Sequence, residues 1–274
     1  GGVDVTHPAS DDPNPQSVAF TPDGLAWVPL FAAPAVNVYD FSRAPAEWLV
    51  GTVDLAGLAD SDGNPEAGVA LACGGTVFVA IQRLGPDFAP VDLSYLVPID
   101  AAARAPIDLD PATDGPQGIA LLGPWPKQFR RDPADAAGHT ALVLTSGVER
   151  VDLSRGTSAW AIAPELLAPL GGPLAFTLAD GGASAYVALS SADFTSVSVV
   201  HVGLDGGEPA APVTIATTPG VGDRMLERLG DTLWLGDRDG MRLRAYDLAQ
   251  SPPAEIASDT LATPIAPWGL IPLP

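Results

Sequence analysis

A short strand-entry pattern returns at near-even intervals along this chain, and that periodicity constrains its fold more than any single motif. Aligned copies place Pro15, Pro65, Pro116, Gly172, Gly222 and Pro267 at one position, with spacings of 50, 51, 56, 50 and 45 residues. The clearest copy runs from Asn14 to Leu55. It opens as Asn14-Pro15-Gln16-Ser17-Val18-Ala19-Phe20, turns at Thr21-Pro22-Asp23-Gly24 and continues as Leu25-Ala26-Trp27-Val28-Pro29-Leu30-Phe31. Two further runs, Val36 to Phe41 and Trp48 to Leu55, complete it. Each run is short, rich in Val, Leu, Phe, Tyr and Trp, and bounded by Pro, Gly, Asp or Ser, which suits strands rather than helices. Four such strands make a sheet too small to bury its own faces, so copies must stack.

A stacked four-stranded unit of roughly 40 to 50 residues is a propeller blade. The expected fold is therefore all-β, a single-domain β-propeller of four-stranded antiparallel blades with five complete copies and a partial sixth. The expected blades are 14–63, 64–114, 115–170, 171–220 and 221–263, with a closing strand at 267–273. Blade two contains a long polar excursion, Gln82 to Ser94. Blade three opens at Pro116-Gln117-Gly118-Ile119-Ala120-Leu121, and the run from Gly123 to Gly138, with Trp125, Lys127, Arg130 and Arg131, reads as an insertion in its first turn. Pro267-Trp268-Gly269-Leu270-Ile271-Pro272 matches the first strand of a sixth copy, for which the N-terminal tail offers one short strand, Val3 to Thr6. Joining the two chain ends in one blade would cover strand edges that are otherwise exposed.

The 33 acidic residues outnumber 13 basic ones, of which only Lys127 is a lysine, so the net charge is −20. Binding to nucleic acid rests on clustered cations, and this balance argues against it and against an anionic membrane surface. Cys73 is the only cysteine. It allows neither a disulfide framework nor a Cys-based zinc site, and its apolar run, Val69 to Cys73, reads as buried strand. No apolar stretch approaches the ~18 residues of a membrane span. Gly1-Gly2 reads as a processing boundary, which fits a mature exported protein whose signal or lipid anchor has been removed.

The blade pattern, with Val36-Asn37-Val38-Tyr39-Asp40-Phe41 after the Pro22-Asp23-Gly24 turn, resembles bacterial extracytoplasmic β-propellers of the lactonase-like and NHL-like group. The segments Asp62-Gly63-Asn64-Pro65-Glu66, Ile81-Gln82-Arg83-Leu84 and Ser94-Tyr95-Leu96-Val97-Pro98-Ile99-Asp100 resemble a secreted or lipid-anchored branch of that group. The resemblance implies a periplasmic, cell-surface or secreted location. It specifies fold more sharply than activity.

Catalytic motifs are missing from the sequence: there is no G-x-S-x-G elbow, no H-E-x-x-H, no phosphate loop and no dinucleotide fingerprint. His7, His139 and His201 fall in the tail, before a strand and within a strand. The strongest local constellation is Asp60, Asp62, Asn64 and Glu66, four oxygen donors at alternate positions. A hard cation such as calcium suits such oxygens; the competing reading is a turn whose Asp and Asn side chains bond their own backbone. The repeat alignment places Gln16, Glu66, Gln117, Asp223, Arg224 and Trp268 at a channel mouth as candidate ligand-binding residues. Arg83 and Arg224 read as ion-pair partners of the surrounding acids, and Trp125 as an exposed aromatic contact. These features favour a binding or scaffold propeller with a protein or small-molecule partner on an acidic, loop-rich face. The alternative is a metal-dependent hydrolase of the lactonase kind, for which the resemblance implies channel ligands from several blades; Glu66 and Asp223 fill two such places, while Gln16, Gln117 and Trp268 depart from that pattern.

Overall fold

The computed structural model describes residues 5, 7, 8, 10–113, 117–205, 213–216, 225–237, 240–250 and 253–263. Asp223, Arg224 and Trp268 lie outside the described residues, as does the expected closing strand. Of Val3 to Thr6 only Val5 is described, and it packs against Leu30, Ala33 and Ala35.

Among the described residues the strands form five sheets. The first joins β1 (Ala19–Phe20), β2 (Ala26–Leu30), β3 (Ala35–Tyr39) and β4 (Leu49–Asp54) in chain order. Its first turn is fixed by Gly24, at φ 84°, whose N–H donates to Thr21 O at 2.9 Å. A side chain is strained at that φ, so glycine belongs there. The Thr21 hydroxyl accepts the indole N–H of fully buried Trp27 at 3.2 Å, which lets a large aromatic enter the core without an orphaned donor.

The second sheet joins β5 (Ala67–Cys73), β6 (Thr76–Ile81) and β7 (Tyr95–Asp100), and its outer edge is shared by β8 (Ala105–Pro106) and β9 (Ile119–Ala120). Both short strands pair antiparallel with β7, at Ile99↔Pro106 and at Leu96↔Ile119. The third sheet runs β10 (Gln128–Arg131), β11 (Thr140–Leu144), β12 (Val148–Asp152) and β13 (Thr157–Ile162). This corrects the sequence reading of blade three. Ile119 and Ala120 do not open it but close the second sheet, and part of the supposed insertion supplies its first strand. The Pro-Gln-Gly-Ile-Ala pattern reports how a strand is entered, whereas pairing partners choose which sheet edge it joins.

After the single helical turn α1 (Pro164–Leu167), the fourth sheet joins β14 (Gly172–Leu178), β15 (Ser184–Ser190), β16 (Val197–Gly203) and β17 (Val213–Ala216). The fifth joins β18 (Leu226–Leu229), β19 (Thr232–Asp237) and β20 (Arg242–Asp247), with β21 (Ala254–Glu255) and β22 (Leu261–Ala262) both pairing with β20. A split outer edge therefore occurs in two sheets. No helix among the described residues is long and apolar enough to cross a membrane.

The chain divides into two compact units, Gly1–Arg131 with Ala137–Val143 and Arg150–Ala159, and Asp132–Ala136 with Leu144–Glu149 and Trp160–Pro274. In the first, Trp27, Val36, Val38 and Val53 of the first sheet pack on Val77, Val79, Ile81, Val97 and Ile99 of the second. The other face of the second sheet, through Phe78, Ala80 and Leu96, meets Val143 and Val151. Strand β6 is thus apolar at nearly every position rather than alternating, as a strand covered on both faces should be. In the second unit Ala175, Ala188, Val197 and Val199 pack on Leu226, Leu233, Leu235 and Tyr246. Thr177 donates to the buried Glu227 carboxylate at 3.1 Å across the same pair of sheets.

Candidate functional site

One end of the second sheet gathers the residues singled out in the sequence. The turn before β5 is built from Asx bonds. Asp60 Oδ1 accepts the Asp62 N–H at 3.1 Å, Asp62 Oδ1 accepts the Asn64 N–H at 2.8 Å, and Gly63 sits at φ 87°. The Asn64 amide donates to Phe31 O at 2.8 Å, anchoring the turn to the first sheet. Two oxygens, Asp60 Oδ2 and Asn64 Oδ1, are buried with no hydrogen-bond partner. Among the described residues no three His, Cys, Asp or Glu side chains converge as a metal cluster.

Glu66 follows Pro65 into this end with φ 48° and only 4% of its surface exposed. Its Oε2 accepts the Leu84 N–H at 2.8 Å. Burial pushes its carboxyl up to about 7, and the Asp62 and Asp60 charges push the same way against the Leu84 hydrogen bond. Pro65 O meanwhile accepts the N–H groups of Gln82 and Arg83 at 3.1 and 3.4 Å, so the acidic turn and the Gln82–Ser94 loop are stitched together.

Arg83, at φ 54°, brings a cation to this end. Its Nη1 pairs with Asp92 at 2.7 Å, its guanidinium lies 6.0 Å from the Tyr95 ring centroid, and its Nε is buried with no hydrogen-bond partner. Leu58, Ala59, Ile81, Arg83, Tyr95 and Gln117 line a cavity of about 310 Å³. Gln117 enters it from the outer edge of the second sheet, with its amide N–H donating to Asp110 O and Thr113 O. Gly118 is required there by close approach, because a Cβ would lie 2.8 Å from Tyr95 Cβ.

Of the channel-mouth set expected from the repeat alignment, Gln16, Glu66 and Gln117 fall within the described residues. Glu66 is buried in the turn and Gln117 lines the cavity, while Gln16 donates to Asn14 Oδ1 at 2.6 Å at the entry to the first sheet. Asn14 O in turn accepts the Phe31 N–H at 3.1 Å, next to the Asn64 anchor. Arg83 is the ion-pair partner expected of it, but the sequence did not reveal its unpartnered Nε. Its place after the apolar run of β6, before the Gly85-Pro86 break, was the available signal.

Sequence reasoning also missed a second cavity of about 390 Å³ at the opposite end of β5, lined by Cys73, Thr76, Phe78, Arg131, His139 and Leu153 among others. Burial raises the Cys73 thiol, although Arg131 works against it, so the sulfur is a poor nucleophile. In the second unit Ser184 Oγ and His201 Nε2 lie 2.8 Å apart, and Tyr186 stacks on the imidazole at 4.7 Å. This pair sits on an exposed strand face, and among the described residues no carboxylate partners the histidine as the third member of a hydrolytic triad.

No protein-family model matches the chain, and no curated protein matches it. Among solved structures it is similar to the extracellular domain assigned to a hybrid two-component system of B. thetaiotaomicron, with 14% identity and a TM-score of 0.54 over 89% of this chain. The match spans 30% of that protein. The Dos1 propeller is 11% identical with a TM-score of 0.54, covering 89% of this chain and 59% of that one. The chain is a β-propeller. A PQQ-bound aldose sugar dehydrogenase from Streptomyces coelicolor is likewise 11% identical with a TM-score of 0.51, covering 93% of this propeller and 82% of the dehydrogenase. Such distant likeness carries the fold and leaves activity to the site.

Proposed function

We propose that this propeller is a binding protein that works outside the cytoplasm and holds a small ligand bearing an acidic or carbonyl oxygen in the cavity beside Arg83. The observation that carries this reading is Arg83, whose Nε is buried without a partner and which lines a cavity together with Tyr95 and Gln117. A buried donor without an acceptor costs about 1–3 kcal/mol, which a ligand oxygen recovers once the guanidinium turns to meet it. The ring supplies a flat apolar contact beside it. Among the described residues that line the cavity, no nucleophile is joined with a base, which favours binding over chemistry. The extracytoplasmic location rests on the sequence resemblance and accords with the extracellular domain among the similar structures.

The test is a melting series of the purified chain with a panel of small carboxylates. A ligand that binds the folded state raises Tm with the logarithm of its concentration above Kd. The expected outcome is a shift in the native protein that Arg83→Met abolishes. No shift with any carboxylate, a shift that survives Arg83→Met, or turnover of lactones or phosphoesters abolished by Glu66→Gln would each overturn the reading.

A cation in the Asp60–Glu66 turn is a second reading, supported by the two buried oxygens without partners. Asp60 Oδ2 and Asn64 Oδ1 would hold calcium together with the Asp62 and Glu66 carboxylates, and the ion would supply positive charge and no covalent chemistry. The expected outcome is a calcium-dependent rise in Tm, reversed by chelator and lost in Asp62→Asn with Glu66→Gln. Absence of the rise, or its survival in the double variant, leaves the turn held by its Asx bonds and the Asn64 anchor on Phe31 O.

A further inference from the structure

The loop between β6 and β7 ends in a turn that holds an aromatic ring in water. Phe88 N–H donates to Gly85 O at 2.8 Å, and Asp87 Oδ1 accepts the Ala89 N–H at 3.1 Å. Phe88 has φ 60° and is 67% exposed. The loop between β15 and β16, in the other unit, repeats this construction. Phe194 N–H donates to Ser191 O at 3.0 Å, Asp193 Oδ1 accepts the Thr195 N–H at 3.2 Å, and Phe194 has φ 57° with 72% exposure. Left-handed backbone opposes folding by about 1–2 kcal/mol for an ordinary residue, and an exposed ring contributes no burial. Folding alone gives no reason to make the same choice twice, and strained, exposed residues of this kind gather at binding surfaces.

Around Phe88 the apolar surface is larger. Val91 and Leu93 on the same loop are exposed, and Trp125, itself at φ 54°, donates its indole N–H to Phe88 O at 3.3 Å. Asp87 and Asp92 border this patch on a chain of net charge −20. On the same loop Arg83 is paired with Asp92, Arg131 reaches Ala72 O at the far end of β5, and Lys127 and Arg130 each have an interaction within the chain. A second copy would bring another −20 against it. We propose that the Phe88–Trp125 patch docks a basic protein segment, its apolar side chains on the two rings and its cations over the acidic surround.

Two labelled peptides of equal charge test this on the full chain at physiological ionic strength, one alternating Lys with Leu and one alternating Lys with Ser. The native protein is expected to bind the Leu peptide about tenfold more tightly than the Ser peptide, as apolar anchors at an interface do. Phe88→Ser with Trp125→Ser should bring that ratio near one and leave the Ser-peptide affinity unchanged, and Phe88→Ala, which keeps the turn, should lower it in the same direction. The proposal is overturned by equal binding of the two peptides to the native protein, by a ratio that survives in the double variant, or by self-association of the native chain that the double variant abolishes.

Discussion

Glu66 is an acid held where acids are rarely held, buried at φ 48° with two carboxylates next to it in the same turn. Its folded-state pKa of about 7 stands above the ordinary 4.5. The folded chain therefore binds more protons than the unfolded chain between those values. Its contribution is complete below pH 4.5 and is lost as pH rises through 7. Urea unfolding should find the native protein less stable at pH 8 than at pH 5 by roughly 2–3 kcal/mol from this group. Glu66→Gln should flatten that difference, and an unchanged pH dependence in the variant would contradict the assignment. The exposed carboxylates act in the opposite sense at lower pH: hydrogen bonds from Ser154 and Arg155 hold Asp152 at about 2, so its contribution fades only in strong acid. Arg83 is the complementary residue, a cation whose Nη1 is paired and whose Nε is not.

At the scale of elements, the split outer edge of the second sheet positions the cavity. β9 returns to pair with β7 at Tyr95↔Ala120, and this carries Gln117 and Gly118 against Tyr95. Gly118→Ala would force Tyr95 aside, with an expected loss of about 1–3 kcal/mol in urea unfolding and a weaker carboxylate-induced melting shift. A stability unchanged within error would show that β9 has room to move. Strand identity was legible in the sequence wherever apolar runs were bounded by turn residues: β7 spans Tyr95–Asp100 as read, and β6 begins at Thr76 as read. Sheet membership was not. Ile119-Ala120 carries the same entry pattern as Val18-Ala19, yet one pairs with a third strand and the other with a second. That choice depends on long-range pairing, which local sequence does not encode.

For the whole molecule, the roughly 50-residue period revealed stacked four-stranded sheets because each sheet needs a neighbour to cover its faces, and Trp27 and Ile81 lie in that shared core. The site was legible only in part. The alternating oxygens of Asp60 to Glu66 marked the turn, but equivalence between repeats did not reveal that Gln117 lines a cavity with Arg83 and gave no hint of the orphaned guanidinium nitrogen, since satisfaction of a buried donor is a property of three-dimensional surroundings. The net charge of −20 makes the rest of the surface unreceptive to anions, so an acid-bearing ligand should find few competing places beyond a cavity built around an arginine. The most direct test is a high-resolution crystal structure of the chain with the carboxylate that gives the largest melting shift. A ligand oxygen is expected at about 2.9 Å from the Arg83 guanidinium, turned so that Nε is partnered, with the body of the ligand against Tyr95. A ligand bound elsewhere with Arg83 Nε still unpartnered, or a cation held in the cavity by oxygens in place of the acid, would contradict it.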